Sequence, residues 1–147
     1  MQFSGTVEIA APREPVWEFV SDPQKMGGCG PGVETVEEID ETHFTARAKV
    51  GVGPVNARFS VDAEFLERLA PDRARVRVRA KAPGTAVDGT AEMTLRDGEA
   101  GGTTVMDWTA DMTFSGTLAS LGARLIESTA NKLIGQTFAC VKSKLEG

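Results

Sequence analysis

From Arg73 to Ala82 the chain alternates charged and apolar residues without an error: Arg-Ala-Arg-Val-Arg-Val-Arg-Ala-Lys-Ala. Period two is the geometry of a strand with one face in water and the other turned to the interior. The inward set, Ala74, Val76, Val78, Ala80 and Ala82, is uniformly small. Neighbouring segments repeat the habit. Ala46, Ala48, Val50 and Val52 alternate with Arg47, Lys49 and Gly51, and Ala57, Phe59, Val61 and Ala63 alternate with Arg58, Ser60, Asp62 and Glu64. A sheet with mainly Ala and Val on its inner face does not easily fill the roughly 10 Å to the next packed layer. We read the gap as partly hollow and the hollow as the functional site.

The same periodicity organises the rest. Phe3, Val7 and Ile9 mark a first strand over about residues 2–10. Pro15, Val16, Trp17, Phe19 and Val20 predict a short amphipathic helix stopped by Asp22–Pro23, with one more turn over Pro23–Met26. A Gly-rich turn, Gly27–Gly32, follows. Six strands are predicted at about 33–40, 43–52, 55–67, 73–82, 86–96 and 103–114, joined by short Gly, Pro and Asp turns as an antiparallel meander. Beyond Ser115–Gly116–Thr117 the period becomes 3.6. Leu118, Leu121, Leu125, Ile126, Leu133, Ile134, Phe138, Val141 and Leu145 form the stripe of a helix of about 28 residues, roughly 42 Å long. Gly122 and Gly135 fall inside it at about 1 kcal/mol each, a cost that a bend or a close backbone approach would offset. The expected fold is α+β: a helix-grip arrangement in which a seven-stranded antiparallel sheet curves around a long C-terminal helix, with two short helices after strand one. Residues 1–147 read as a single domain.

Composition narrows the function. The net charge of −5 argues against a nucleic-acid partner, because phosphate binding needs a clustered positive field. The arginines of 73–79 should instead face Asp62, Glu64 and Glu92 across the sheet. Cys29 and Cys140, far apart in sequence, are expected as free thiols in a reducing cytoplasm. Met1–Gly5 has no basic start or apolar run, so no signal peptide is expected, and no segment reaches 18 apolar residues.

Catalytic chemistry has no obvious seat. The single histidine, His43, sits at the end of a predicted turn, and there is no tyrosine, HExxH or Ser–His pairing. The glycines of 27–32 lack the Lys-Ser/Thr of a phosphate loop. Asp62, Glu64, Glu92, Asp107 and Asp111 alternate outward, which leaves Asp88, in an irregular strand start near the cavity mouth, as the one carboxylate to watch. No metal set and no catalytic set is predicted. An apolar, nearly charge-free cavity points to an apolar ligand. Met93, Met106 and Met112 suit such a guest, since thioethers adapt their shape, and suit an irregular core equally well. The residues expected to line the cavity are Trp17, Met26, Phe59, Val78, Met93, Met106, Trp108, Leu121, Leu125 and Phe138.

The element order resembles the START/Bet v 1-like (SRPBCC) helix-grip superfamily, and within it the chain resembles the CoxG family, the G subunit of carbon monoxide dehydrogenase, over nearly its full length. The residues that carry the likeness are Pro15-Val-Trp-Glu-Phe-Val-Ser-Asp-Pro23, the Cys29-Gly-Pro-Gly-Val-Glu34 turn, Val50-Gly-Val-Gly-Pro-Val55 and Ser115-Gly-Thr-Leu-Ala-Ser-Leu-Gly122. Gly30 stands where the family has a bulky apolar residue. The resemblance implies a non-catalytic accessory to a molybdenum-containing CO dehydrogenase-type enzyme, recruiting it to the membrane and holding an isoprenoid quinone or similar lipid. No covalent cofactor is implied. Some relatives carry a C-terminal membrane-anchoring extension. This chain ends at Gly147, so a cytoplasmic protein with at most transient contact at the inner membrane face is expected. Two alternatives stand beside this reading: an interaction module with a filled core, and a cyclase- or dehydratase-like enzyme needing a polar pair inside the cavity.

Overall fold

Alternating strands need hydrogen-bonded neighbours and one covered face, and the chain supplies both from its own length. In a computed structural model describing residues 1–146, β1 (Gln2–Ile9) leads into α1 (Arg13–Val20) and α2 (Pro23–Gly27). The strands β2 (Val33–Glu38), β3 (His43–Val52), β4 (Val55–Leu69), β5 (Arg73–Ala82), β6 (Thr85–Asp97) and β7 (Thr104–Gly116) follow. A single turn, α3 (Thr117–Ser120), precedes the long α4 (Ala123–Glu146). The order across the sheet is β1-β7-β6-β5-β4-β3-β2, every pair antiparallel. This is the expected α+β architecture, a meander closed by β1 beside β7 and covered by the C-terminal helix.

Register sets the two faces. Ala63, Val78, Gly89 and Met112 stand in one row across β4–β7 on the inner face. Val61, Ala80, Val87 and Phe114 form the next row toward one end, and Phe65, Val76, Ala91 and Ala110 the next toward the other. On the outer face the β5 arginines meet acids: Arg77–Glu64 at 3.6 Å, Arg79–Asp88 at 3.5 Å and Arg73–Glu92 at 3.0 Å. These pairs are solvent-exposed, each worth at most about 1 kcal/mol, and their main effect is to keep that face wet. Asp88 is one of them. It lies within the regular β6 ladder opposite Arg79 and is exposed, rather than at an irregular strand start.

The short helices are anchored locally. Asp22 caps α2, its carboxylate accepting from the Gln24 and Lys25 amides at 2.8 and 3.4 Å, with Pro23 opening the helix. α1 and α2 pack with the C-terminal end of α4 around Ile9, Val16 and Val141, each 0% exposed. Thr104, equally buried, donates its hydroxyl to the Ala11 carbonyl at 2.8 Å, so that end leaves no stray donor there.

Two further expectations are corrected. The C-terminal helix is not continuous over 28 residues. α3 ends at Ser120 with Leu121 as its C-cap, Gly122 takes φ +92°, and α4 begins anew at Ala123, about 36 Å long. The apolar stripe runs on through Leu118, Leu121 and Leu125, so the pattern hides the break; the left-handed residue that makes it must be glycine. At Gly135, by contrast, a Cβ would meet nothing within 4 Å, so no close approach offsets its propensity cost. The second correction concerns the cysteines. Cys29 and Cys140 are not free thiols; they form a disulfide with Cα atoms 5.4 Å apart. A separation of 111 residues is no barrier, because the fold lays the Gly-rich turn after α2 against the last turns of α4.

Candidate functional site

Along the inner face, α4's backbone comes closest to β1, α1 and β3, at the margins of the molecule. Between those supports the side chains are short. Val61, Val76, Val78, Ala80, Val87 and Ala91 all point toward the helix yet stay only part-buried. Apolar residues facing inward without full burial mean unfilled space.

That space is two cavities. The first, about 220 Å³, lies toward the β3–β4 hairpin. The sheet contributes Ala48, Val50, Val52, Phe59, Val61, Ala80, Val87 and Phe114, α3 contributes Leu118, and α4 closes it with Ile126, Thr129, Ala130 and Leu133. No charged group lines it, and its surface is almost wholly carbon. The second, about 210 Å³, lies toward α1 and α2. Met26, Phe65, Met93, Met106, Trp108 and Phe138 give it a wall rich in rings and sulfur, filled out by Val20, Ala74, Val76 and Ala91. The Trp108 and Phe138 rings are 5.9 Å apart and inclined at 44°, within the range of favourable aromatic pairs. Glu92 and Thr109 border this cavity, and the Glu92 carboxylate is held by Arg73 on the outer face.

The residues expected to line the site divide between these places. Phe59 borders the first cavity; Met26, Met93, Met106, Trp108 and Phe138 border the second. Trp17 packs in the solid core beside Val16 and Val141. Leu121 and Leu125 pack against the Val52–Phe59–Leu118 cluster, with Leu125 lying over Gly53 at the hairpin tip. Val78 sits on the inner face in the row between the two cavities. The wall residues not anticipated include large ones, among them Phe114, Leu118, Ile126 and Leu133, and small ones, Ala48, Ala80, Thr129 and Ala130. The signal that finds the small ones is the same shortness of side chain that implies the hollow, extended from strands to helix.

The groups with displaced proton affinities all lie outside this interior. His43 places Nδ1 3.0 Å from Asp40 Oδ1 and Nε2 2.7 Å from Glu64 Oε2, and these bonds, Asp40 first, raise its pKa. Asp40 is lowered to about 2, chiefly by the Thr42 backbone N–H and then by His43. Asp107 is lowered by Arg96, which is raised in return, with Thr6 donating to Asp107 at 2.8 Å. A surface depression of about 540 Å³ lies on the outer face around His43, Asp62, Glu64, Arg77 and Arg79. His43 and Arg77 there pair with Asp40 and Glu64, and Arg79 with Asp88 beside it, so it reads as a solvated face of mixed charge. Among the described residues no cluster of three metal-binding side chains occurs, and no helix is long and apolar enough to cross a membrane.

Solved structures share this architecture. A conserved protein from Geobacillus kaustophilus superposes with a TM-score of 0.92 at 20% identity, covering 99% of this chain and 95% of that one. A START superfamily protein from Mycobacterium smegmatis gives 0.73 at 10% identity, over 99% and 97% of the two chains. The Zhui aromatase/cyclase from Streptomyces sp. R1128 gives 0.70 at 19%, over 99% and 93%. At such identities the likeness establishes the fold and nothing about chemistry. No curated protein matches by sequence. The family model for CoxG, the G subunit of carbon monoxide dehydrogenase, matches residues 5–146. On that match, which spans the sheet but for the first three residues of β1, both cavities and all of α4, the chain belongs to the carbon monoxide dehydrogenase CoxG family.

Proposed function

We propose that this protein is a non-catalytic carrier that holds an apolar molecule between sheet and helix and presents it to a CO dehydrogenase-type enzyme, and that the molecule is an isoprenoid quinone. One observation carries the reading: the inner face borders unfilled, carbon-lined space where a stable core would be packed. Burying about 400 Å² of ligand at about 25 cal/mol/Å² releases roughly 10 kcal/mol. Association and ordering costs bring that to an affinity on the order of micromolar, suited to loading and release. Family membership supplies the redox enzyme as partner. Transient contact with a membrane, where a long-tailed quinone resides, supplies the route of loading.

An enzymatic reading would need an acid or base in the cavity. The carboxylate that could have served, Asp88, is turned outward to Arg79, and Glu92 to Arg73. The test is an organic extract of the protein purified without detergent, analysed by mass spectrometry, together with tryptophan emission on addition of quinone. An isoprenoid quinone in the extract and quenching of emission are expected. Extracts free of quinone, with emission unchanged by added quinone, overturn the reading.

A further inference from the structure

The two cavities share no wall residue, yet they flank one row of the sheet. On one side of that row lie Val61, Ala80 and Val87, lining the first cavity; on the other lie Phe65, Val76 and Ala91, lining the second. Each is two residues from the dividing row, about 7 Å along the strand. On α4 the facing residues Leu133 and Phe138 are five residues apart, about 7.5 Å. The cavities are therefore neighbours on one axis.

The divider is unusual in composition. Its row is Ala63, Val78, Gly89 and Met112. Gly89 allows β6 and β7 to approach so closely that a Cβ there would collide with the Asp111 carbonyl oxygen. The Met112 sulfur lies over the vacated spot, 2.5 Å from where that Cβ would be. Of the four residues in the row, only Met112 is long and unbranched, with a thioether that changes rotamer at little cost. The two compartments also differ in kind. The first offers mainly Val, Ile, Leu and Ala, with Phe59 and Phe114 on the sheet side, and matches saturated or branched hydrocarbon. The second offers Trp108, Phe138 and three methionines, which favour the face and edge of a flat π system.

We propose that the cavities are the ring and tail compartments of one site for a single amphiphile, the flat unsaturated head against Trp108 and the aliphatic tail in the Val–Ile–Leu chamber, with Met112 as the movable partition that the tail displaces. This rests on the carrier reading. The chain has two tryptophans, and Trp17 lies in the solid core, so Trp17→Phe leaves Trp108 as the sole indole reporter. Full-length Trp17→Phe protein is titrated with ubiquinones bearing no, one, two or four isoprene units, binding being read separately by displacement of 1-anilinonaphthalene-8-sulfonate. Every bound quinone should quench Trp108 to a similar extent, and affinity should rise with tail length. Met112→Phe, a stiffer and bulkier divider, should weaken the four-unit quinone about tenfold or more and leave the tail-less ring unchanged. Met112→Ile, close in volume but β-branched, should shift it the same way by a smaller factor, and thermal melts verify that both variants fold. Dye displacement without Trp108 quenching overturns the assignment of the ring end. Equal weakening of all four quinones, or of none, overturns the partition. Failure of every quinone to displace the dye or alter emission overturns the carrier reading itself, and the compartments with it.

Discussion

The two ends of this molecule are built from the same sheet and the same helix, and they solve opposite problems. At the α1–α2 end, Ile9, Val16 and Val141 are sealed from solvent, and the Cys29–Cys140 bond ties the Gly-rich turn to α4. At the hairpin end Val52, Phe59, Leu118 and Ile126 are buried, none of them sealed completely, and they and the residues around them face a cavity. The difference lies in what packs against the sheet. Two extra helices and the C-terminal turns of α4 cap one end with a sealed layer beyond the second cavity, whereas a single stretch of α4 bearing Thr129 and Ala130 spans the other. Stability is concentrated at the capped end, which leaves the other free to remain underpacked.

The largest effect should come from the disulfide. Closing a loop of 111 residues removes chain entropy from the unfolded state worth about 5 kcal/mol in the loop-closure description. The double variant Cys29→Ser/Cys140→Ser should lose about that much in urea denaturation, and ligand loading in the folded fraction should persist. Equal stability of the double variant and the parent would refute the assignment of a structural clamp to this end. Second in size is a paired truncation. Ile9→Ala removes side chain from a sealed core and should cost about 3–4 kcal/mol, including the void it leaves. Val61→Ala merely enlarges a space that already exists, and should cost under about 1 kcal/mol. Similar costs at both positions would mean that the hairpin end is as well packed as the other.

Much of this contrast is legible in the order of the residues. Arg73–Ala82 is a strand over the same ten residues that its alternation indicates, and the small inward side chains imply hollow space directly. What the alternation does not reveal is whatever depends on distant parts of the chain meeting. Trp17, Leu121 and Leu125 are as apolar as Phe59 or Trp108; only the arrangement of three elements decides that they join packed clusters and not a cavity wall. The pairing of Cys29 with Cys140 is of the same kind. Gly122 is different: the local signal is present, but a continuous 3.6 period on both sides masks a one-residue break. The division of the hollow also has a local origin, in Gly89 and Met112, whose alignment emerges only once β6 and β7 are in register.

Adding volume tests the comparison from the other side. Ala11 is buried in the capped end, and Ala11→Leu should overpack it at a cost of about 1–3 kcal/mol, read by thermal denaturation. Ala130→Leu places the same atoms in the first cavity. It should leave stability within about 0.5 kcal/mol and abolish uptake of a long-tailed quinone. Undiminished uptake by Ala130→Leu would remove the first cavity from the binding site.

The smallest effect belongs to the outer face, and it separates that face from the interior. His43 is held between Asp40 and Glu64, and its folded pKa is raised above the ordinary 6.5. A raised histidine stabilises the fold fully below its unfolded pKa and loses that contribution as pH climbs through the folded value. Asp40, lowered to about 2 from 3.8, behaves oppositely: its contribution is present above the unfolded value and is lost as pH falls through the folded one. Between these limits both members are charged and the cluster is intact. Because the groups are exposed, the gain is slight and screened by salt. The melting temperature of the parent should therefore fall slightly more than that of His43→Gln as pH rises above about 6.5 through the folded histidine's titration, with the gap between the two curves shrinking in high salt. Quinone uptake should be the same in both proteins across that range, since no titrating group of this cluster borders either cavity. Uptake that followed the His43 titration would mean that the two faces of the sheet communicate, and the interior could no longer be treated as insulated from the charges outside it.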